Sequence, residues 1–144
     1  YVVHDSPFTM LCDSPTNYEK EPEYTKFIAS IPDEWDETRV LQGQLGQYIV
    51  TARRKDDTWY VGGQTNWNQR TITLPLNFLD EGEMVNGQQS MVNYFVDLLT
   101  DGINANHHAE DYRLDRQTRH NGETLTIRMA SGGGFVLRLQ MIRL

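Results

Sequence analysis

The sequence predicts a mostly-β fold: a two-sheet antiparallel β-sandwich of seven or eight short strands, preceded by a short helical N-terminal segment. Three observations carry this reading. From Thr38 onward the apolar residues recur with a period of two. Clusters of Gly, Asn and Asp interrupt those runs at short intervals. Before Pro32, in contrast, the apolar residues fall at helical spacing.

In the N-terminal region, Ser6-Pro7 and Ser14-Pro15 each set a hydroxyl residue before a proline, a pattern suited to a helix N-cap and first turn. Phe8, Leu11 and Cys12 lie at helical spacing, as do Tyr24, Phe27, Ile28 and Ile31. Glu21, Pro22 and Glu23 precede the second stripe, where negative charge favours a helix N-terminus, and Pro32 closes it. The division expected is a helical segment over 1–32 and a sandwich over 33–144.

Strands follow in order. Tyr48, Val50 and Ala52 alternate with Ile49, Thr51 and Arg53, and Asp56-Asp57 supplies a hairpin tip before Trp59 and Val61. Ile72, Leu74 and Leu76 form the next alternating run. Met91–Leu99 reads as a strand with Tyr94, Val96 and Leu98 on one side. Leu125, Ile127 and Met129, then Phe135, Leu137, Leu139 and Met141, complete the set. Each strand is expected to bury one face and leave the other in water. Turns are expected at Gly43–Gly46, Asn66–Gln69, Asp80–Gly82 and Ser131–Gly134, the last as a flexible hairpin loop. Asn121-Gly122 is the clearest hairpin signal, because both residues tolerate the positive φ of a type I′ turn.

Composition sets outer bounds. The 144 residues form one domain of ordinary size, and 13 Lys+Arg against 20 Asp+Glu give a net charge of −7. Such an acidic chain repels phosphate backbones, so nucleic acid is excluded as a general partner. No apolar run approaches a membrane span. The chain opens Tyr1-Val2-Val3 without Met and reads as a fragment of a longer protein; its sharp end on Leu139–Leu144 suggests a C-terminus tied into a sheet.

Candidate chemistry is sparse. Asp33, Glu34, Asp36 and Glu37 surround Trp35, but sequence neighbours seldom face one another across a glycoside, so a solvated or packing role is expected. Asp101, Glu110, Asp111 and Asp115 are more scattered still. Adjacent His107-His108 point to different sides and lack a second ligand cluster, so no metal site is expected. Cys12, the lone cysteine, reads as a small buried residue. Ser131-Gly132-Gly133-Gly134 precedes a strand and lacks a following Lys, which excludes a phosphate loop. Of the three tryptophans, Trp59 falls on the apolar face and reads as core. Trp67 lies in a loop and is a candidate sugar platform, alone or with Trp35. Trp35, at the junction of the two regions, reads as a packing anchor with Phe27, Ile28 and Ile31. No catalytic residue is assigned.

Several runs, taken together, carry a resemblance. Pro32-Asp33-Glu34-Trp35-Asp36-Glu37-Thr38, Val40-Leu41, and Gly46-Gln47-Tyr48-Ile49-Val50-Thr51-Ala52-Arg53-Arg54-Lys55 open the series. Asp57-Thr58-Trp59-Tyr60-Val61-Gly62-Gly63, Asp101-Gly102-Ile103-Asn104-Ala105 and Ala130-Ser131-Gly132-Gly133-Gly134-Phe135 continue it. In this order they closely resemble the C-terminal region of glycoside hydrolase family 97. Tyr1-Val2-Val3, Ser6-Pro7 and Asp13-Ser14-Pro15-Thr16-Asn17-Tyr18 look like the last segment of that family's catalytic barrel. The resemblance implies a periplasmic or secreted α-glucosidase or α-galactosidase with an N-terminal β-supersandwich, a (β/α)8 barrel and a C-terminal accessory or oligomerisation sandwich. It also implies a calcium ion in the parent enzyme, with the calcium ligands and catalytic carboxylates upstream of Tyr1, so none maps onto this chain. The implied partners are the parent's own barrel, a second copy of the chain, and an oligosaccharide substrate bound through the parent. On this reading Phe27, Ile28 and Ile31 bury against the sandwich.

Overall fold

The computed structural model describes residues 1–4, 6, 10–79, 84–85 and 88–142. Two helices, α1 (Pro15–Lys20) and α2 (Pro22–Ala29), precede the strands. These are β1 (Glu37–Gln44), β2 (Tyr48–Lys55), β3 (Thr58–Thr65), β4 (Arg70–Pro75), β5 (Met84–Val85), β6 (Gln88–Gln89), β7 (Asn93–Asp101), β8 (Tyr112–His120), β9 (Thr124–Met129) and β10 (Gly134–Met141). Eight of them build two antiparallel sheets: six strands in the order β1-β2-β3-β10-β7-β8, and two strands, β4-β9, opposite. The two-residue strands β5 and β6 pair only with each other.

The core lies between the sheets, where the period-two pattern points. Val50, Ala52, Trp59, Val61, Tyr94, Val96, Phe135, Leu137 and Leu139 of the large sheet meet Ile72, Leu74, Leu125, Ile127 and Met129 of the small one. Burying each Val, Leu, Ile, Phe or Met among them contributes on the order of 1.5–3 kcal/mol. Trp59 is fully buried, edge-on to Phe78 at 5.5 Å between centroids. Gly63 belongs to this face: a Cβ there would overlap the Phe135 ring.

The helices follow the proline signals. Both α1 and α2 carry Pro in the first turn, where its missing N–H costs nothing. Ser14 occupies the α1 N-cap without a side-chain bond; the Asp13 carboxylate instead accepts from the Ser14 N–H and the Asn17 amide. The helical spacing at Leu11 and Cys12 does not become a helix, and Met10–Cys12 lie at the surface, where the Tyr1 hydroxyl donates to the Met10 carbonyl at 3.1 Å. Cys12 is exposed rather than buried. Pro7 and Phe8, the turn expected over Asp80–Gly82, and the last two residues, 143–144, lie outside the described residues.

Three further expectations are corrected. Asn121-Gly122 does not close a hairpin: β8 pairs with β7 while β9 pairs with β4, so the chain there crosses from one sheet to the other. Positive φ among the described residues occurs at Asp56, Gly46 and Gly132, not at this pair. Glu123 supplies the local reason, accepting from Arg119 at 3.2 Å and His120 at 3.1 Å. Its carbonyl also accepts the Leu76 N–H at 2.8 Å, which ties the crossing to the small sheet. The Ser131–Gly134 loop is a second crossing of the same kind, from β9 to β10. Nor is every strand buried on one face only. Thr51, Arg53 and Tyr60, on the opposite face of β2 and β3 from the core, are also buried, because the N-terminal region lies over them.

Candidate functional site

Residues 1–3 and α2 cover the outer face of the large sheet through two buried apolar side chains, Val2 and Phe27, and a set of polar latches. Phe27 is buried, with Ile28 and Ile31 half-buried beside it. The Arg138 guanidinium lies 5.7 Å from the Phe27 ring centre, bonds Ser30 Oγ at 3.2 Å and pairs with Asp97. Tyr60 donates its hydroxyl to the Ser30 carbonyl at 3.2 Å, and Trp35 stands edge-on to Tyr60 at 5.4 Å. Arg53 donates from Nε to the Val2 carbonyl at 2.7 Å, and its guanidinium lies 5.8 Å from the Trp35 ring centre. Gly62 makes the close approach possible, since a Cβ there would sit 2.8 Å from Val2 Cβ.

Farther along the face, the Tyr112 ring lies tilted against Tyr24, 5.1 Å between centroids, and its hydroxyl donates to Glu21 at 2.7 Å. That carboxylate, followed by partial burial, pushes the Tyr112 phenol up to about 12. Burial raises the Tyr24 and Tyr60 phenols as well. Arg116 reaches Glu23 at 3.4 Å.

The carboxylates around Trp35 do not converge on a cleft. Asp33 and Glu34 are exposed. Asp36 accepts the Asp56 backbone N–H at 2.7 Å and pairs with Lys55 at 3.3 Å, which holds its carboxyl below the ordinary range. Glu37 is held low by Arg39, at 2.5 Å, and by Arg54. Groups locked in the ionised form in this way are poor general acids, so the cluster fastens the start of β1 to the β2–β3 turn.

Loops gather at one end of the sandwich: the β1–β2 hairpin tip, the β3–β4 link, the β7–β8 link and the β9–β10 link. Asp101 organises them. One of its carboxylate oxygens accepts the N–H groups of Ala130 at 2.7 Å and Gly134 at 2.9 Å. A Cβ at Gly133 would overlap that carboxylate. Asp111 accepts the Asn104 N–H at 2.7 Å, and Asn106 accepts the Ser131 N–H at 3.1 Å. An open cleft of about 860 Å³ lies between these loops and the N-terminal residues, bordered by Val2, Gly63, Trp67, Asp101, Asp111 and Gly133. The sequence alone shows Asp101 as one of several scattered carboxylates and the glycine run as flexible; the signal that joins them is a Gly-Gly-Gly run that leaves room for a side chain from elsewhere.

Trp67 is 84% exposed, with Gly132 against its six-membered ring. Trp35 stands at the opposite end. It precedes Glu37, which pairs with Arg54, whereas Trp67 follows Thr65, which pairs with Tyr48. At about 3.4 Å per residue, roughly 20 Å of strand separates the two rings, so they form no common sugar platform. Among the described residues no group of three or more His, Cys, Asp or Glu could hold a metal ion. The His108 ring meets Glu110 at 3.8 Å.

Comparison with known families places this sandwich. A family model described as glycosyl-hydrolase 97 C-terminal, oligomerisation, matches residues 34–140. The chain belongs to that family. A retaining alpha-galactosidase from Bacteroides thetaiotaomicron is 47% identical over 140 residues, covering 97% of this chain and 20% of the relative. A probable retaining alpha-galactosidase from Streptomyces bingchenggensis is 29% identical over 136 residues, 93% of this chain and 18% of the relative. Among solved structures, a family 97 enzyme from Pseudoalteromonas sp. strain K8 in complex with acarbose superposes with a TM-score of 0.79 at 30% identity, over 91% of this chain and 20% of that one. The family 97 chain described here thus spans about a fifth of the length of the relatives it matches.

Proposed function

We propose that this chain is the non-catalytic C-terminal oligomerisation domain of a family 97 retaining α-galactosidase. The relative at 47% identity is named a retaining alpha-galactosidase, which favours α-galactosides over α-glucosides as the parent's substrates. The observation that carries the non-catalytic role is the engagement of Asp36 and Glu37 with Lys55, Arg39 and Arg54. In this reading the catalytic carboxylates and the calcium ion sit in the upstream barrel. The α2 segment, with Phe27, Ile28, Ile31 and Trp35, forms the junction to that barrel. On the family resemblance, the enzyme works in the periplasm or outside the cell.

The test is kinetic. The full-length enzyme is assayed on chromogenic α-galactoside and α-glucoside, beside the double variant Asp36→Asn/Glu37→Gln. The expected result is a preference for the galactoside and a kcat for the variant within about twofold of the parent. A loss of several orders of magnitude in the variant would return this cluster to the catalytic centre and end the accessory-domain reading.

A further inference from the structure

We infer that the charge-free shelf made by the β1–β2 hairpin tip and the Gln64–Trp67 segment is where a second copy of this chain docks. The inference rests on the oligomerisation reading and names the surface that performs it.

Charge distribution is the first argument. The chain carries 20 acidic against 13 basic residues, yet none of either kind lies between Val40 and Ala52 or between Thr58 and Gln69. Two copies at net charge −7 repel one another. A two-fold contact places a patch against its own image, so any concentrated charge would face like charge. These two stretches avoid that penalty. Arg70, the cation that follows them, is turned onto the Tyr48 ring at 4.7 Å and onto Gln47 at 3.0 Å.

Exposure and rigidity supply the second argument. Leu45 is fully exposed, Trp67 is 84% exposed and Val40 is 68% exposed, an aromatic and two aliphatics of the kind that anchor interfaces. Between the two stretches runs an open groove of about 580 Å³, bordered by Val40, Leu45, Tyr48, Ile49, Gln64 and Asn66, every one uncharged. The shelf is pre-organised. Asn66 donates from its side chain to the Gly46 carbonyl at 3.0 Å and from its backbone to the Gln47 carbonyl at 2.8 Å. Holding the hairpin to the next link in the free protein lowers the ordering cost of association.

Two alternatives fit less well. Strand addition along the β1 edge is opposed by the bulge between Val40 and Gln42, which breaks the register an incoming strand needs. A sugar needs fixed polar groups aimed at its hydroxyls, but the Asn66 and Gln47 side chains are already bonded to Gly46 and Arg70.

The experiment uses the full-length enzyme, with Leu45→Glu and Trp67→Glu made separately and mass measured by sedimentation velocity across a concentration series. Each variant is expected to raise the self-dissociation constant by at least about 100-fold, and Leu45→Ala by about tenfold. Unchanged melting curves show that the side chains were lost from a surface and not from the core. Ile103→Glu, on an exposed neighbouring loop outside the shelf, leaves the assembly intact. Wild-type assembly in both glutamate variants would overturn the inference while leaving the oligomerisation reading in place. Intact assembly with a reduced kcat would also overturn it, by showing that the enzyme's own barrel covers the shelf. A parent that is monomeric at every concentration would remove the oligomerisation reading itself, and this inference with it.

Discussion

On its inner face the six-stranded sheet meets β4 and β9 through Val61, Leu137 and Leu139, all fully buried, with Ile72, Leu74 and Ile127 opposite. On its outer face it meets residues 1–3 and α2 through the buried side chains of Val2 and Phe27 and hydrogen bonds from Arg53, Tyr60, Tyr112 and Arg138. The first contact is non-directional and scales with area; the second depends on donor and acceptor geometry and is partly open to water. The inner face therefore determines whether the sandwich exists. The outer face determines what is held against it, and can open without unfolding the rest.

Two adjacent glycines put this contrast to its hardest test. Gly63→Ala drives a Cβ into the Phe135 ring on the inner face, with an expected loss of global stability of about 3 kcal/mol in urea unfolding. Gly62→Ala meets Val2 and Val3 on the outer face. It is expected to cost about 1 kcal/mol, visible as faster hydrogen exchange in residues 1–4 and not as a shift of the global midpoint. Equal global losses from both would mean that the outer contact is part of the same cooperative unit. Next in size is Phe27→Leu, which removes the ring beneath Arg138 while keeping most of the volume. About 1 kcal/mol of local stability should be lost, read as quicker proteolysis around α2 with the sandwich melting temperature unchanged.

The smallest effect is alkaline. Tyr112 titrates at about 12 in the folded chain against an ordinary 10.0, so its bond to Glu21 contributes fully below pH 10 and is lost as pH rises through 12. Hydrogen exchange at α2 should rise across that window, and Glu21→Gln should abolish the extra rise. An α2 whose exchange in the parent follows only the general acceleration with pH would show that this latch holds nothing.

The inner face was legible in the sequence because alternation records which side chains leave water. Leu125, Ile127 and Met129, and Phe135, Leu137 and Leu139, all lie where their period places them. The outer face was legible only in outline. Thr51 and Arg53 look like a solvated face, and what buries them is a segment some fifty residues away, whose Val2 carbonyl accepts from Arg53. Asn121-Gly122 misled for a related reason: turn propensity is local, whereas the partner each strand takes is decided by distant packing. Gly62-Gly63 inside a strand pattern was the available sign that other groups approach closely from both sides. The shelf around Leu45 and Trp67 was half visible, with Trp67 recognisable as a loop aromatic and its neighbour across the hairpin not.

The position of β10 bears on how the chain is made. It is the last strand in sequence, yet it lies between β3 and β7 and pairs with both, from Phe135 opposite Gly63 and Thr100 to Gln140 opposite Thr58 and Phe95. During synthesis β1-β2-β3 and β7-β8 can each form as they leave the ribosome, but each then carries a raw inner edge. About seventy residues separate β3 from the strand that will cover it, so the wait is long on the scale of local folding. Until then the two half-sheets are open to pairing with other nascent chains, and the closing strand must reach them before a neighbour does.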